Sequence, residues 1–206
     1  MSWGHLAAPA GGFVCAFLLG SFVEYATHRA MRLRWVLGRR HLNHHKKGDG
    51  QGVWGEFVDY VLFSLLFIWF GFLVSTPVGI AYAVGVALYA FLAAWAHQLN
   101  HERPELIFWM PRPVHYLHHR YNLWRTNFGI LVDFWDRLLG TYEVIEWKPE
   151  RRPFEYPLRA FFDIGWFRRG GTVAPTSRRH LGPELASTVT SERAARREPP
   201  SFLPAS

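Results

Sequence analysis

The sequence predicts an all-α integral membrane protein, with about three transmembrane helices carrying a histidine-rich helical cap on the cytoplasmic side. Two observations lead there. Charge is segregated: no Asp, Glu, Lys or Arg occurs from Met1 to Val23 or between Asp59 and Glu102. Nearly all of it falls in 24–59 and 102–206, the pattern of apolar spans joined to polar loops. Histidine is segregated too: nine of the 11 sit at the ends of the apolar runs or in short clusters that follow them. The mean hydropathy of −0.03 averages over this division and conceals it.

The first apolar run is GGFVCAFLLGSFVEYATH, Gly11 to His28. A signal peptide would carry a positive leading region. MSWGHLAAPA has no Lys or Arg, so a retained span is expected. The second run, YVLFSLLFIWFGFLVS, covers Tyr60 to Ser75, and the third, PVGIAYAVGVALYAFLAAWAH, covers Pro77 to His97. Thr76-Pro77 makes a minimal break between them and predicts a hairpin. Each run is near the roughly 20 residues that cross a bilayer, the second being slightly short unless it starts near Phe57. Seven basic residues fall in 29–56 and the remaining 16 after His101, so three spans place the C-terminus in the cytoplasm and the N-terminus outside.

Three short aromatic pieces follow: ELIFWM (105–110), FGILVDFWDRLLG (128–140) and PFEYPLRAFFDIGWF (153–167). They are too short to cross and are expected as interfacial helices. Residues 1–167 thus form the membrane domain. Residues 168–206, rich in Gly, Pro, Ser, Thr and Arg, read as a disordered polar tail. A single cysteine, Cys15, excludes an internal disulfide framework and a cysteine-ligated zinc site, and is expected as a small packing residue. The net charge of +7 borders the spans, where it sets orientation and meets anionic headgroups, so no nucleic-acid partner is expected.

The histidines carry the chemistry. HYLHH places His115, His118 and His119 within five residues, and HLNHH repeats the pattern at His41, His44 and His45. At about 0.05 histidines per position, one copy is expected by chance roughly 0.03 times in the chain, so two copies are improbable. Spacings of i, i+3 and i+4 share a helix face, which also joins His97 and His101 in HQLNH. With His28 ending the first span, nine imidazoles point to one region at the cytoplasmic boundary. A structural zinc site closes with four ligands, so nine suit two metals better. A zinc protease would need the glutamate of H-E-x-x-H, which both HLNHH and HQLNH lack. A transporter would place ionisable groups inside the spans. Imidazole suits iron, zinc and copper alike. A dimetal site below a hydrophobic hairpin is placed to act on an acyl or isoprenoid chain, and oxidising unactivated C–H bonds calls for iron and dioxygen. His5 and His180 lie outside the clusters.

These residues resemble the fatty acid hydroxylase/sterol desaturase superfamily, whose ordered histidine boxes are H-x(3,4)-H, H-x-x-H-H, H-x(3)-H and H-x-x-H-H. His41–His45, His97–His101 and His115–His119 match the last three, and NFGILVDFWDRLLGTY, Asn127 to Tyr142, resembles the segment after the last box. The resemblance spans roughly residues 11–145. It implies a di-iron oxygenase that hydroxylates or desaturates a lipid, sterol or carotenoid, zinc being able to replace iron in purified protein. It also implies a separate electron donor of the ferredoxin, cytochrome b5 or reductase type. Arg103, Arg112, Arg120 and Arg125 are candidates for the donor's docking face, and lipid contact or simple topology explains them equally well. The implied metal ligands are His28, His41, His44, His45, His97, His101, His115, His118 and His119. The first box departs: HRAMRL puts Arg32 or Leu33 where a tenth histidine is expected. Glu24, one turn before His28, is a candidate substitute ligand or acceptor for a ligand N–H, or else a helix-end carboxylate paired with Arg29. The alternative function is a non-catalytic metal- or lipid-binding membrane protein that keeps the fold.

A reporter fused to the C-terminus is expected to be active only in its cytoplasmic form; a periplasmic or lumenal signal would defeat the three-span topology.

Overall fold

The computed structural model describes residues 4–33, 36–47, 51–147, 161–162 and 164–167. The tail from 168, His180 and most of the 153–167 piece lie outside the described residues. All regular elements among the described residues are helical. They are α1 (Gly4–Ala30), α2 (Val36–Lys47), α3 (Val53–Ser64), a 3-10 helix (Ile68–Leu73), α4 (Thr76–Glu102), a 3-10 turn (Pro104–Leu106), α5 (Val114–Arg120) and α6 (Phe134–Leu138).

Two helices are long and apolar enough to cross a membrane, Leu6–Ala30 of α1 and Thr76–Glu102 of α4. The second apolar run is not one helix. α3 ends at Ser64, the chain turns at 65–67, and a 3-10 helix follows. The Ser64 hydroxyl bonds back to the Val61 carbonyl at 2.8 Å, where it competes with the helical ladder. Around this break the apolar side chains point outward: Leu66 is 72% exposed and Leu73 84%. An aqueous surface would not favour such a patch, whereas hydrocarbon matches it. Ser75 then starts α4, its hydroxyl accepting from the Val78 amide at 3.4 Å, with Pro77 in the first turn.

α1 and α4 pack through small residues. Gly12, Ala16 and Gly20 recur every four positions along one face of α1. A Cβ on Gly12 would come within 2.9 Å of Val78, and one on Gly20 within 2.7 Å of Tyr89. Ala16 is fully buried opposite Gly85, whose own Cβ would come within 2.8 Å of it. Backbones approach closely along this stripe, and it sets the distance between the helix ends that carry His28 and His97. Cys15, beside the stripe, is exposed on the outer face of α1 rather than packed.

The short aromatic pieces beyond α4 are divided: among the described residues part of each packs into the core, while Phe108, Phe134, Leu138, Phe162 and Phe167 are exposed. In 105–110, Leu106, Ile107 and Met110 are buried against Val53, Ala94 and Leu99, because Pro104 ends α4 and turns the chain back over the helix. In 128–140 only Phe134–Leu138 is helical, and the irregular stretch before it buries Phe128, Ile130 and Leu131. Of the 153–167 piece, 164–166 dock on the start of α3: Val53 N donates to Gly165 O and Trp54 N to Trp166 O, both at 3.0 Å.

Gly20→Leu is expected to lower stability by about 1–3 kcal/mol through overpacking against Tyr89. Gly11→Leu, where nothing lies within 4 Å, should be neutral. Thermal unfolding in one detergent compares the two, and equal midpoints would mean that the stripe does not hold the helices together.

Candidate metal centre

All nine sequence-predicted histidines meet in one pocket, supplied by four helices. α1 contributes His28, α2 His41, His44 and His45, α4 His97 and His101, and α5 His115, His118 and His119. Two groups within it have ligand atoms that all lie within 4.8 Å of one another: His44, His97, His101, His115 and His119; and His28, His41 and His118. His45 sits beside the second, its Nε2 2.9 Å from His41 Nε2 and 3.1 Å from His118 Nε2. His44 Nε2 and His101 Nε2 are 3.0 Å apart, and His115 Nε2 is 3.3 Å from His101 Nε2.

These spacings suit metal ligation. Two imidazole nitrogens about 2.0–2.1 Å from one ion, at angles between square and tetrahedral, lie roughly 2.9–3.4 Å apart. Hydrogen bonds between rings account for only part of the packing, since one proton on His45 Nε2 can serve only one of its two neighbours. Among the described residues, His28 Nε2, His115 Nδ1 and both nitrogens of His119 are buried without a hydrogen-bond partner. A cation would satisfy such lone pairs. The donor set of neutral imidazoles therefore fits a pair of metal ions.

Several rings are aimed through their other nitrogen. His28 Nδ1 lies 2.5 Å from the Phe128 carbonyl and His118 Nδ1 2.9 Å from the Thr126 carbonyl. Carbonyls only accept, so both rings carry the proton on Nδ1 and present a bare Nε2 to the pocket. His97 Nδ1 lies 3.0 Å from Glu56 Oε2, within ion-pair distance, although the ring is not angled to make a hydrogen bond there. Burial, reinforced by repulsion among the rings, pushes His41 down to about 2 and His45 down to about 3. Burial pushes His118 down to about 4, and holds His115 and His119 well below the usual histidine range, with neighbouring histidines adding to it. These rings are neutral at pH 7, so no proton competes with a metal for the lone pair.

The loop that aims His28 is itself held by two buried carboxylates. Asp136 accepts from the amides of Phe128 at 3.0 Å and Gly129 at 2.6 Å. Glu24 Oε1 accepts from those of Ile130 at 2.9 Å and Leu131 at 3.4 Å, while its Oε2 accepts from Tyr89 at 2.8 Å. A Cβ on Gly129 would collide with the Val132 carbonyl, so the tight turn needs glycine there. Asn127, with φ +62°, starts the turn and exchanges hydrogen bonds with the backbone of Glu143.

Glu24 thus stands in neither histidine group. Its oxygens are taken by Tyr89 and the backbone rather than by a metal position or a ligand N–H, and Arg29 donates to Tyr25 instead. Arg32 and Leu33 follow α1 in an exposed turn, so no side chain from the first box fills a tenth position. Sequence reasoning missed Glu56 and Asp136. The signal for Glu56 was its place with Asp59 as the last acids before the charge-free run; that for Asp136 was the NFGILVDFWD segment itself.

A family model described as fatty acid hydroxylase matches residues 13–141, which contain all nine converging histidines. No curated protein and no solved structure matches the chain.

His44→Ala, His101→Ala and His118→Ala are each expected to lower bound metal. Glu56→Gln, which keeps shape but weakens the hold on His97, is expected to weaken metal affinity about 10–100-fold. Elemental analysis and competition with a chelator measure both, and unchanged metal in all four variants would show that the rings are not ligands.

Proposed function

The chain belongs to the fatty acid hydroxylase family, whose members are in general oxidoreductases that use iron, and from that premise we propose that it is a membrane di-iron oxygenase acting on a lipid, sterol or carotenoid chain. The observation that carries the reading is the pair of histidine groups in one pocket at the ends of α1 and α4. His44, His97, His101, His115 and His119 would hold one iron. His28, His41 and His118, with His45 beside them, would hold the other. Iron bound there supplies dioxygen activation, with two external electrons, for hydroxylating or desaturating a C–H chain.

The protein's own groups prepare that chemistry. The Phe128 and Thr126 carbonyls fix the tautomer and orientation of His28 and His118, and the Glu56 carboxylate lies against His97. Phe128, packed edge-on against His28 at 5.7 Å, helps exclude water. No flavin or nicotinamide fingerprint is present in the sequence, which supports delivery of electrons by a separate protein.

The same reading places the chain in the membrane with three crossings, the N-terminus outside and the pocket in the cytoplasm. For the second crossing, the part of α3 from about Phe57, the turn at 65–67 and the 3-10 helix would follow one another through the hydrocarbon. The break at 65–67 then shapes a crossing that is not one continuous helix.

Iron-loaded protein is expected to contain about two irons per chain. Lipids from cells expressing it under isotopic dioxygen should show a product that gains one labelled oxygen or loses two hydrogens. Bound metal without any such product, in a reaction given electrons, would favour a non-catalytic metal- or lipid-binding role.

A further inference from the structure

The first box's missing histidine has a structural counterpart. After α1 the chain turns through Met31, Arg32 and Leu33 and opens a cavity of about 810 Å³. Its polar wall is made by Arg32, Asn122 and Arg125, and Met31, Leu42 and Trp124 contribute apolar wall. Among the described residues no lining residue is acidic, and neither arginine has an ion pair or hydrogen bond. Two unneutralised guanidinium groups over an apolar wall are complementary to an anionic headgroup with an alkyl chain. The size lies in the range of small-molecule sites.

The cavity adjoins the histidine pocket. Trp124 forms part of the wall between them: its ring stacks on His45 at 4.7 Å and meets His41 edge-on at 6.1 Å. Leu42 follows His41 on α2. The turn carrying Asn122, Trp124 and Arg125 is pinned to the end of α5, with Leu123 N donating to His118 O at 2.9 Å. The elements that hold the ligands therefore also hold the arginines.

We propose that this cavity binds the carboxylate or phosphate headgroup of an amphiphile, with Arg32 and Arg125 selecting for the negative charge. Calling that amphiphile the substrate rests on the oxygenase reading above; the binding itself does not. Arg32 thus stands at one of the two positions open to the box's second histidine, the other being Leu33, and it recognises the lipid instead of the metal.

The test uses the metal-loaded full chain in a neutral detergent, without an electron donor, and measures binding of radiolabelled hexadecanoate, hexadecyl phosphate and hexadecanol. At least one anionic amphiphile is expected to bind about tenfold or more tightly than the alcohol. Arg32→Gln and Arg125→Gln should each remove most of that preference, and Arg32→Lys should restore part of it, with metal content unchanged throughout. Millimolar inorganic phosphate should not displace the lipid; displacement would mark a site for small free anions and overturn the proposal. Equal affinity for the alcohol, or an unchanged preference in both glutamine variants, would also overturn it. Charge-dependent binding with no oxygenated product in a parallel reaction given dioxygen and electrons would sink the oxygenase reading alone, and product formed there without charge-dependent binding would sink the headgroup site alone.

Discussion

Nine imidazole rings crowded into one pocket cannot all be protonated, and a ring offered to a metal must also turn a lone pair inward. Most of the structure around the histidines serves that requirement. Burial disfavours protonation, and three of the rings are met on the outer side by a carbonyl or carboxylate. Without those partners a ring could rotate or change tautomer and present an N–H where a lone pair is needed.

The requirement propagates outward by steps. The Phe128 carbonyl can aim His28 only if its own loop is fixed, and the loop is fixed because Asp136 and Glu24 take four consecutive amides from 128 to 131. One face of α1 reads the same segment: Ser21 accepts from Trp135, Glu24 from the loop, Tyr25 meets Thr141, and His28 meets Phe128. These positions follow the i, i+3, i+4, i+7 spacing of a single stripe. The opposite demand, close approach to α4, is met by Gly12, Ala16 and Gly20. A helix that looks uniformly apolar in sequence therefore divides into a stripe for α4, a stripe for the loop and a face of exposed Val14 and Leu18.

The histidines were legible because their spacing is local. His41, His44 and His45, or His115, His118 and His119, declare a shared helix face within five residues, and the charge-free runs declare where the helices lie. Glu56 and Asp136 were not legible in the same way, since their partners are 41 and eight or seven positions away and only the fold brings them together. Glu24 stood in the favourable register one turn before His28, yet the helix directs it to the loop amides. The aromatic pieces after α4 were only partly legible for a related reason. Trp and Phe serve an interface and a core equally well, and composition alone does not say which side of Leu106 or Phe128 will be covered. Register along α1 likewise hid the small-residue stripe, although Gly12, Ala16 and Gly20 were visible at four-residue intervals.

α4 is 27 residues long, about 40 Å from Thr76 to Glu102, whereas bilayer hydrocarbon is about 30 Å thick. A helix of that length need not end at the surface of a bilayer it crosses; it can continue past it as an unbroken strut, with His97 and His101 on the projecting part. In a membrane-embedded chain the height of the pocket above the lipid is then set by a rigid rod anchored at the far leaflet by the Ser75–Pro77 turn. Bilayer thickness becomes a ruler: a thicker membrane draws His97 and His101 toward the hydrocarbon, and a thinner one lifts them clear of it. The depth at which an alkyl chain meets the pocket would follow from lipid composition as much as from any residue that touches the chain.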